Sequence, residues 1–231
     1  MPGPGASILA MSTEAERTAM LRDIAEEIAY TRTEIGKDAF DARVMAAMAG
    51  VPREVFVPES HRLLAFANGP VPIGHGQTIS QPYIVALMTD LLEPRPGHVV
   101  LEIGTGSGYQ AAVLAGLVRR VYSVEIIAAL AAAAAGRLAG LGCDNVIVRH
   151  GDGYRGWPEH APFDGIIVTA AAPHVPPPLV EQLKPGGRLV IPVGLPGCIQ
   201  QLSVIQKNED GKTSQRDVLM VAFVPLTGEL R

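Results

Sequence analysis

The sequence predicts an α/β fold, a seven-stranded and mostly parallel sheet preceded by a helical segment. Three observations carry that prediction. Short, almost wholly apolar runs, HVVLEI (98–103), VYSVE (121–125), NVIVRH (145–150) and DGIIVTA (164–170), alternate with helical stretches. Apolar runs without in/out alternation are the mark of strands buried on both faces, as in a parallel sheet covered by helices. A glycine-rich loop, 104–108, joins the first run to the helix after it. Finally, RLVIPV (188–193) follows a KPGG turn, and IQQLSVIQ (199–206) and DVLMVAFVPL (217–226) flank a polar turn at 208–211, which reads as a terminal hairpin.

The helices follow from periodicity and punctuation. Thr13 with Glu16 three residues on has the form of a capping box, and Leu21, Ile24 and Ile28 then form an apolar stripe as far as Tyr30. A second helix is expected over 38–48, stopped by Gly50 and Pro52. The stretch 51–81 is irregular, and a loop of that length in a compact domain is either functional or disordered. Helical spacing resumes at Tyr83 through Ile84, Leu87, Met88 and Leu91, and again over 108–118 and 126–139. The organisation expected is therefore a flexible leader, 1–11, N-terminal helices and a loop segment, 12–81, and an α/β core, 82–231, together one structural domain.

Composition removes several function classes. With 48% hydrophobic and 18% charged residues, the 231-residue chain suits one large globular domain rather than a disordered one. A net charge of −4 and the lack of any Lys/Arg block argue against nucleic acid as a partner. Cys143 and Cys198 form no CxxC pair, so reduced thiols are expected, with no disulfide framework and no metal site. No apolar run approaches the roughly 18 residues that a membrane span needs, and the apolar stretch at 6–11 is too short for a signal peptide. The cytoplasm is the expected compartment, and a monomer the expected state.

The loop after the first strand carries the chemistry. Gly104, Gly106 and Gly108 are spaced G-x-G-x-G, with Glu102 two residues before the first glycine. Glycines there permit a tight turn and close approach of the backbone to a ligand. A dinucleotide site would instead want G-x-G-x-x-G, with a helix N-terminus facing pyrophosphate. An acidic residue at 102 suits the cationic amino group of S-adenosylmethionine better than it suits a pyrophosphate. Glu125 ends the second strand and is placed to accept both ribose hydroxyls. Asp152-Gly153 follows the third strand; the aspartate can accept from an adenine amino group while the glycine keeps the floor open. Each feature has a blander reading, a ligand-free turn or a solvated carboxylate. Together they lie at the carboxyl ends of parallel strands, where open α/β sheets bind ligands. The pattern resembles the Rossmann-like S-adenosylmethionine-dependent methyltransferases.

The segment before the sheet narrows the resemblance. VPREVFVP (51–58) and PIGHGQTISQP (72–82) precede LEIGTGSGYQ (101–110), RHGDG (149–153), PFDGIIVTAA (162–171) and the closing FVPLTGEL (223–230). Over about 13–231 the chain resembles bacterial protein-L-isoaspartate O-methyltransferases, and GQTISQP is the most specific of these motifs. The resemblance implies methyl transfer from S-adenosyl-L-methionine to the α-carboxylate of L-isoaspartyl residues in damaged proteins and peptides. The ester then collapses to a succinimide, and S-adenosyl-L-homocysteine is the other product. It implies that Ser80 is the active-site serine, that Gln77, Thr78 and Ile79 border cofactor and substrate, and that Thr227 lies at the cofactor-side rim. The 51–81 stretch then becomes a substrate lid.

The side chains agree with this chemistry. A carboxylate nucleophile, with a reference pKa of roughly 3.9, is ionised at neutral pH without a base. Ser80 would orient it by hydrogen bonding rather than attack; its alternative role is to cap the helix near Pro82. His75 and His150 read as surface or structural residues, and Tyr154 and Trp157 as packing at the pocket lip or in the adjoining core. Asn68-Gly69 is a deamidation-prone pair, which makes the chain a candidate for its own methylation.

Overall fold

The computed structural model describes residues 4–228, with side chains from residue 13 onward. The first helix, α1, spans Pro4–Ile35, so Thr13 and Glu16 lie within it and the capping box does not open it. Of the expected leader, 4–11 is helical, while its first three residues lie outside the described part. Ile24 and Ile28 are buried as the stripe predicts. The second helix, α2 (Ala42–Gly50), starts later than expected because Asp41, not Asp38, is its cap: its Oδ1 accepts from the Arg43 N–H at 2.8 Å. Helix α3 (Pro82–Leu92) opens on Pro82, whose missing N–H costs nothing at that position. Asp90 near its far end, almost fully buried, accepts from Lys37 and from the Asp41 N–H, tying the α1–α2 link to α3.

The sequence left 51–81 irregular, but the structure gives it shape. Short 3₁₀ helices form at Arg53–Phe56 and Glu59–Leu64. A hairpin follows, β1 (Val71–Gly74) against β2 (Gln77–Ile79). His75 and Gly76 form its two-residue tip, both at positive φ (54° and 71°), the geometry that matches the natural twist of a hairpin.

The remaining strands make one sheet: β3 (Val99–Ile103), β4 (Arg120–Glu125), β5 (Val146–His150), β6 (Phe163–Val168), β7 (Leu183–Val193), β8 (Gln200–Lys207) and β9 (Thr213–Val221). Their spatial order is β5-β4-β3-β6-β7-β8-β9. The pairs from β5 to β7 are parallel, and β8 runs antiparallel to both neighbours. The sheet is thus the expected seven-stranded, mostly parallel one. The last predicted strand is shifted, since β9 ends at Val221 and residues 222–226 leave the sheet.

Alternation along each strand produces two apolar layers. Val100, Val121, Ile167 and Val190 face α1, α2, α3 and α4 (Tyr109–Ala115), whereas Leu101, Ile103, Ile166 and Leu189 face α6 (Pro177–Glu181) and the turns at 153–160. Helix α5 (Ala128–Gly140) covers β4 and β5 through Leu130, Ala134 and Leu138. Burial on both faces is why these strands read as continuous apolar runs.

Candidate active site

Strand order reverses on either side of β3, and at this switch the carboxyl ends of β3, β4 and β6 border an open cleft of about 750 Å³. The glycine loop is pinned at three points. The Gly104 N–H donates to the Val124 carbonyl at 2.8 Å, and the Thr169 hydroxyl donates to the Gly104 carbonyl at 2.6 Å. The Gly106 N–H donates to Glu125 Oε2 at 2.8 Å. Gly104 has φ 93°, and a Cβ there would stand 2.7 Å from the Thr169 hydroxyl, so a larger residue would strain the loop and displace Thr169. The loop is a built cradle.

Glu125 closes β4 and is nearly buried. Each of its oxygens already accepts one backbone N–H, Oε2 from Gly106 and Oε1 from Ile127 at 2.9 Å. An ionised carboxylate has about four acceptor sites. Two therefore stay open toward the cleft that Glu125 lines, which fits a pair of ribose hydroxyls.

Of the residues singled out in the sequence, Gln77, Thr78, Ile79, Ser80, Gly104, Gly106, Glu125, Gly153 and Thr227 line the cleft. Glu102, Gly108 and Asp152 do not. Gly108 sits at the start of α4 and faces Ala134 and Leu138 of α5. The Asp152 carboxylate accepts from the Tyr154 N–H at 2.9 Å and lies against Gly228, within the strap that 224–228 draws past the site. Gly153 is needed for close packing rather than for an open floor, since a Cβ would fall 2.4 Å from the Ile103 side chain. Tyr154 and Trp157 are core residues: the Tyr154 hydroxyl donates to Leu226 O, and Trp157 packs on Tyr122 beneath Arg149.

Glu102 points to the other face of β3 from Ile103 and is wholly buried. One oxygen accepts from the Ser123 hydroxyl, itself 2.5 Å from that of Thr105, and the other has no partner. Burial is the main cause that pushes its carboxyl up to about 8, against the Ser123 hydrogen bond, which lowers it. The expected direct role beside the cofactor's amino group therefore gives way to a carboxyl beneath the loop, mostly protonated at neutral pH.

A second cavity adjoins the first. Glu27, Pro70, Gln81, Tyr83 and residues 219–223 line it, and Thr78, Ser80, Thr169 and Val224 border both. Sequence reasoning missed Thr169 and Val224; the signal for Thr169 was its place just past the end of β6, the same kind of position that marked Glu125. Ser80 stands at the junction. Gln81, not Ser80, caps α3, so the capping role falls away, and the Ser80 hydroxyl makes no hydrogen bond to another described residue. The wall is tied to α1 through Glu27, whose Oε2 accepts from Asn68 Nδ2 at 2.5 Å and from Gln81 Nε2 at 2.9 Å.

A Rossmann-like sheet with this cradle and this strand-end carboxylate defines an S-adenosylmethionine-dependent methyltransferase. Residues 31–231 match the family described as protein-L-isoaspartate(D-aspartate) O-methyltransferase. Protein-L-isoaspartate O-methyltransferase 2 of Syntrophobacter fumaroxidans is 63% identical over 214 residues, covering 93% of this chain and 87% of the relative. The enzyme of the same name from Polaromonas is 62% identical, covering 91% and 100%. Among solved structures, a protein-L-isoaspartate O-methyltransferase superposes with a TM-score of 0.76 at 30% identity, covering 88% of this chain and 66% of that one. A Plasmodium falciparum protein assigned to the same enzyme class, solved with S-adenosyl-L-homocysteine, gives 0.72 at 26% identity, covering 89% and 97%. The chain belongs to the protein-L-isoaspartate O-methyltransferase family.

The raised carboxyl of Glu102 contributes stability that is complete below the ordinary glutamate range and is lost as pH rises through about 8. Glu102→Gln should therefore gain on the wild type in melting temperature as pH rises across roughly 5 to 9. A constant offset over that range would contradict it. Deamidation at Asn68 needs the Gly69 nitrogen to attack the Asn68 side chain. That N–H is engaged by Ala67 O at 2.8 Å and the side chain is held by Glu27. Peptide mapping of aged protein should find Asn68 intact while the unfolded chain deamidates there, and rapid isoaspartate formation in the folded protein would refute this.

Proposed function

We propose that this chain methylates the α-carboxylate of L-isoaspartyl residues in damaged proteins and peptides, starting a repair that proceeds through a succinimide. The observation that carries the reading is the junction itself. A cleft suited to an adenosyl cofactor and a groove lined by the 219–224 segment meet at Thr78, Ser80, Thr169 and Val224. None of these four side chains titrates, which suits a nucleophile that is already ionised.

Bound S-adenosyl-L-methionine supplies an electrophilic methyl group on its sulfonium and leaves as the neutral thioether. Around it, Gly104, Gly106 and Thr169 hold the loop, Glu125 takes the ribose, and Thr227 with the 224–228 strap closes the rim. Gln77, Thr78 and Ile79 form the wall between cofactor and substrate. Ser80 donates its hydroxyl to the substrate carboxylate and fixes which oxygen faces the methyl. Opposite charges neutralise each other in this transfer, so shielding from water and alignment are the tasks left to the protein. The segment 51–81 acts as the substrate lid on a single structural domain. The chain works as a monomer without nucleic acid, and its unpaired Cys143 and Cys198 suit the cytoplasm. Among the described residues, no helix is long and apolar enough to cross a membrane.

Incubation with labelled S-adenosyl-L-methionine should label an isoaspartyl peptide and spare its aspartyl twin; equal labelling, or none, refutes the substrate. Ser80→Ala should lower kcat on the order of 10- to 100-fold, the cost of one charge-assisted hydrogen bond, with cofactor affinity little changed. Glu125→Ala should do the reverse, raising the cofactor Kd by a similar factor in calorimetry. A collapse of cofactor binding in Ser80→Ala with normal turnover of the bound complex would remove the orienting role.

A further inference from the structure

Arg53 is the first residue of the short turn at the start of the lid and is completely buried. No carboxylate among the described residues pairs with it; its partners are neutral. Nε donates to the Ala65 carbonyl at 2.7 Å, and Nη2 donates to the Ser80 carbonyl, also at 2.7 Å. The guanidinium lies 4.6 Å over the ring of Tyr109, the first residue of the helix that follows the glycine loop. Phe56, one turn on, meets the same ring edge-on at 5.4 Å. Nη1 is buried without a partner.

A guanidinium stripped of water and given no anion is a poor stabilising device, since desolvation is repaid only by good compensation. Its position explains its presence better. The two carbonyls it holds flank the hairpin, Ala65 at the end of the second 3₁₀ helix and Ser80 just past β2, and the ring beneath it lines the cleft. The planar fork can grip both carbonyls and stack on a ring at once, which an ammonium cannot.

We propose that Arg53 is a positioning residue that sets Ser80 relative to the cofactor loop, locking the substrate lid and the Tyr109 helix into one unit. This rests on the orienting role of Ser80 given above. Arg53 does not touch substrate; it acts through the Ser80 backbone. A displacement of about 1 Å at the reacting groups costs roughly 10²-fold in rate, and losing the fork frees the chain by that order.

The test is a double-mutant cycle read in kcat, cofactor Kd and melting temperature, with Arg53→Met, Ser80→Ala and the pair. Arg53→Met should lower kcat on an isoaspartyl peptide on the order of 10²-fold and leave the calorimetric Kd of S-adenosyl-L-homocysteine near wild type. In the Ser80→Ala background the same substitution should cost little further, because the group it positions is gone. Arg53→Lys, which keeps charge but loses the fork, should fail to restore kcat, and it carries the cycle if Arg53→Met does not fold. An equal loss in both backgrounds, or a Kd that rises in step with the fall in kcat, overturns the proposal. Should Ser80→Ala alone leave kcat intact, the reading of Ser80 fails first and takes this inference with it.

Discussion

The contact between Thr169 and Gly104 joins the three strands that make the site. Thr169 lies just beyond β6, Gly104 just beyond β3, and Gly104 in turn bonds to Val124 on β4. The loop can pass this close only because residue 104 has no side chain and tolerates a positive φ. From that pinch the loop reaches Glu125, which uses half of its acceptor capacity to hold the Gly106 and Ile127 N–H groups. The hydrogen bonds that shape the loop are thus all made within the chain itself.

Three ionisable groups around the site, Glu102 and Arg53 buried and Glu27 half-buried, are each held differently. Glu102 is buried so deeply that burial outweighs its hydrogen bond and it retains its proton to about pH 8. Glu27 is kept near the surface of the groove by two side-chain amides from the lid. Arg53 keeps its charge on carbonyls and a ring face. The first lies under the glycine loop and the other two against the 51–81 segment, so the two sides of the cleft are built on different electrostatics. The four residues that border both cavities, Thr78, Ser80, Thr169 and Val224, carry no charge.

Much of the scaffold was legible because burial on both faces leaves an unmistakable apolar run, as in β3 and β6. Glu125 was legible because a strand end after a glycine loop has few other positions to occupy. Glu102 was misjudged by neglecting alternation: once Ile103 lines the cleft, its neighbour must face the opposite layer. The last strand was overextended because the apolar residues of 222–226 look the same whether they pair in a sheet or cross a pocket. The lid network was beyond reach, since the bonds from Glu27 to Asn68 and Gln81 span 41 and 54 residues. Nothing local in the sequence announces such contacts.

The most direct test of the central claim, that cofactor cleft and substrate groove meet at Ser80, is a crystal structure with S-adenosyl-L-homocysteine and an isoaspartyl peptide bound together. The account predicts the ribose on Glu125 and the substrate α-carboxylate within hydrogen-bond distance of the Ser80 hydroxyl, about 2.5–3.0 Å. A carboxylate seated elsewhere, with the Ser80 hydroxyl turned to its own chain, would contradict it.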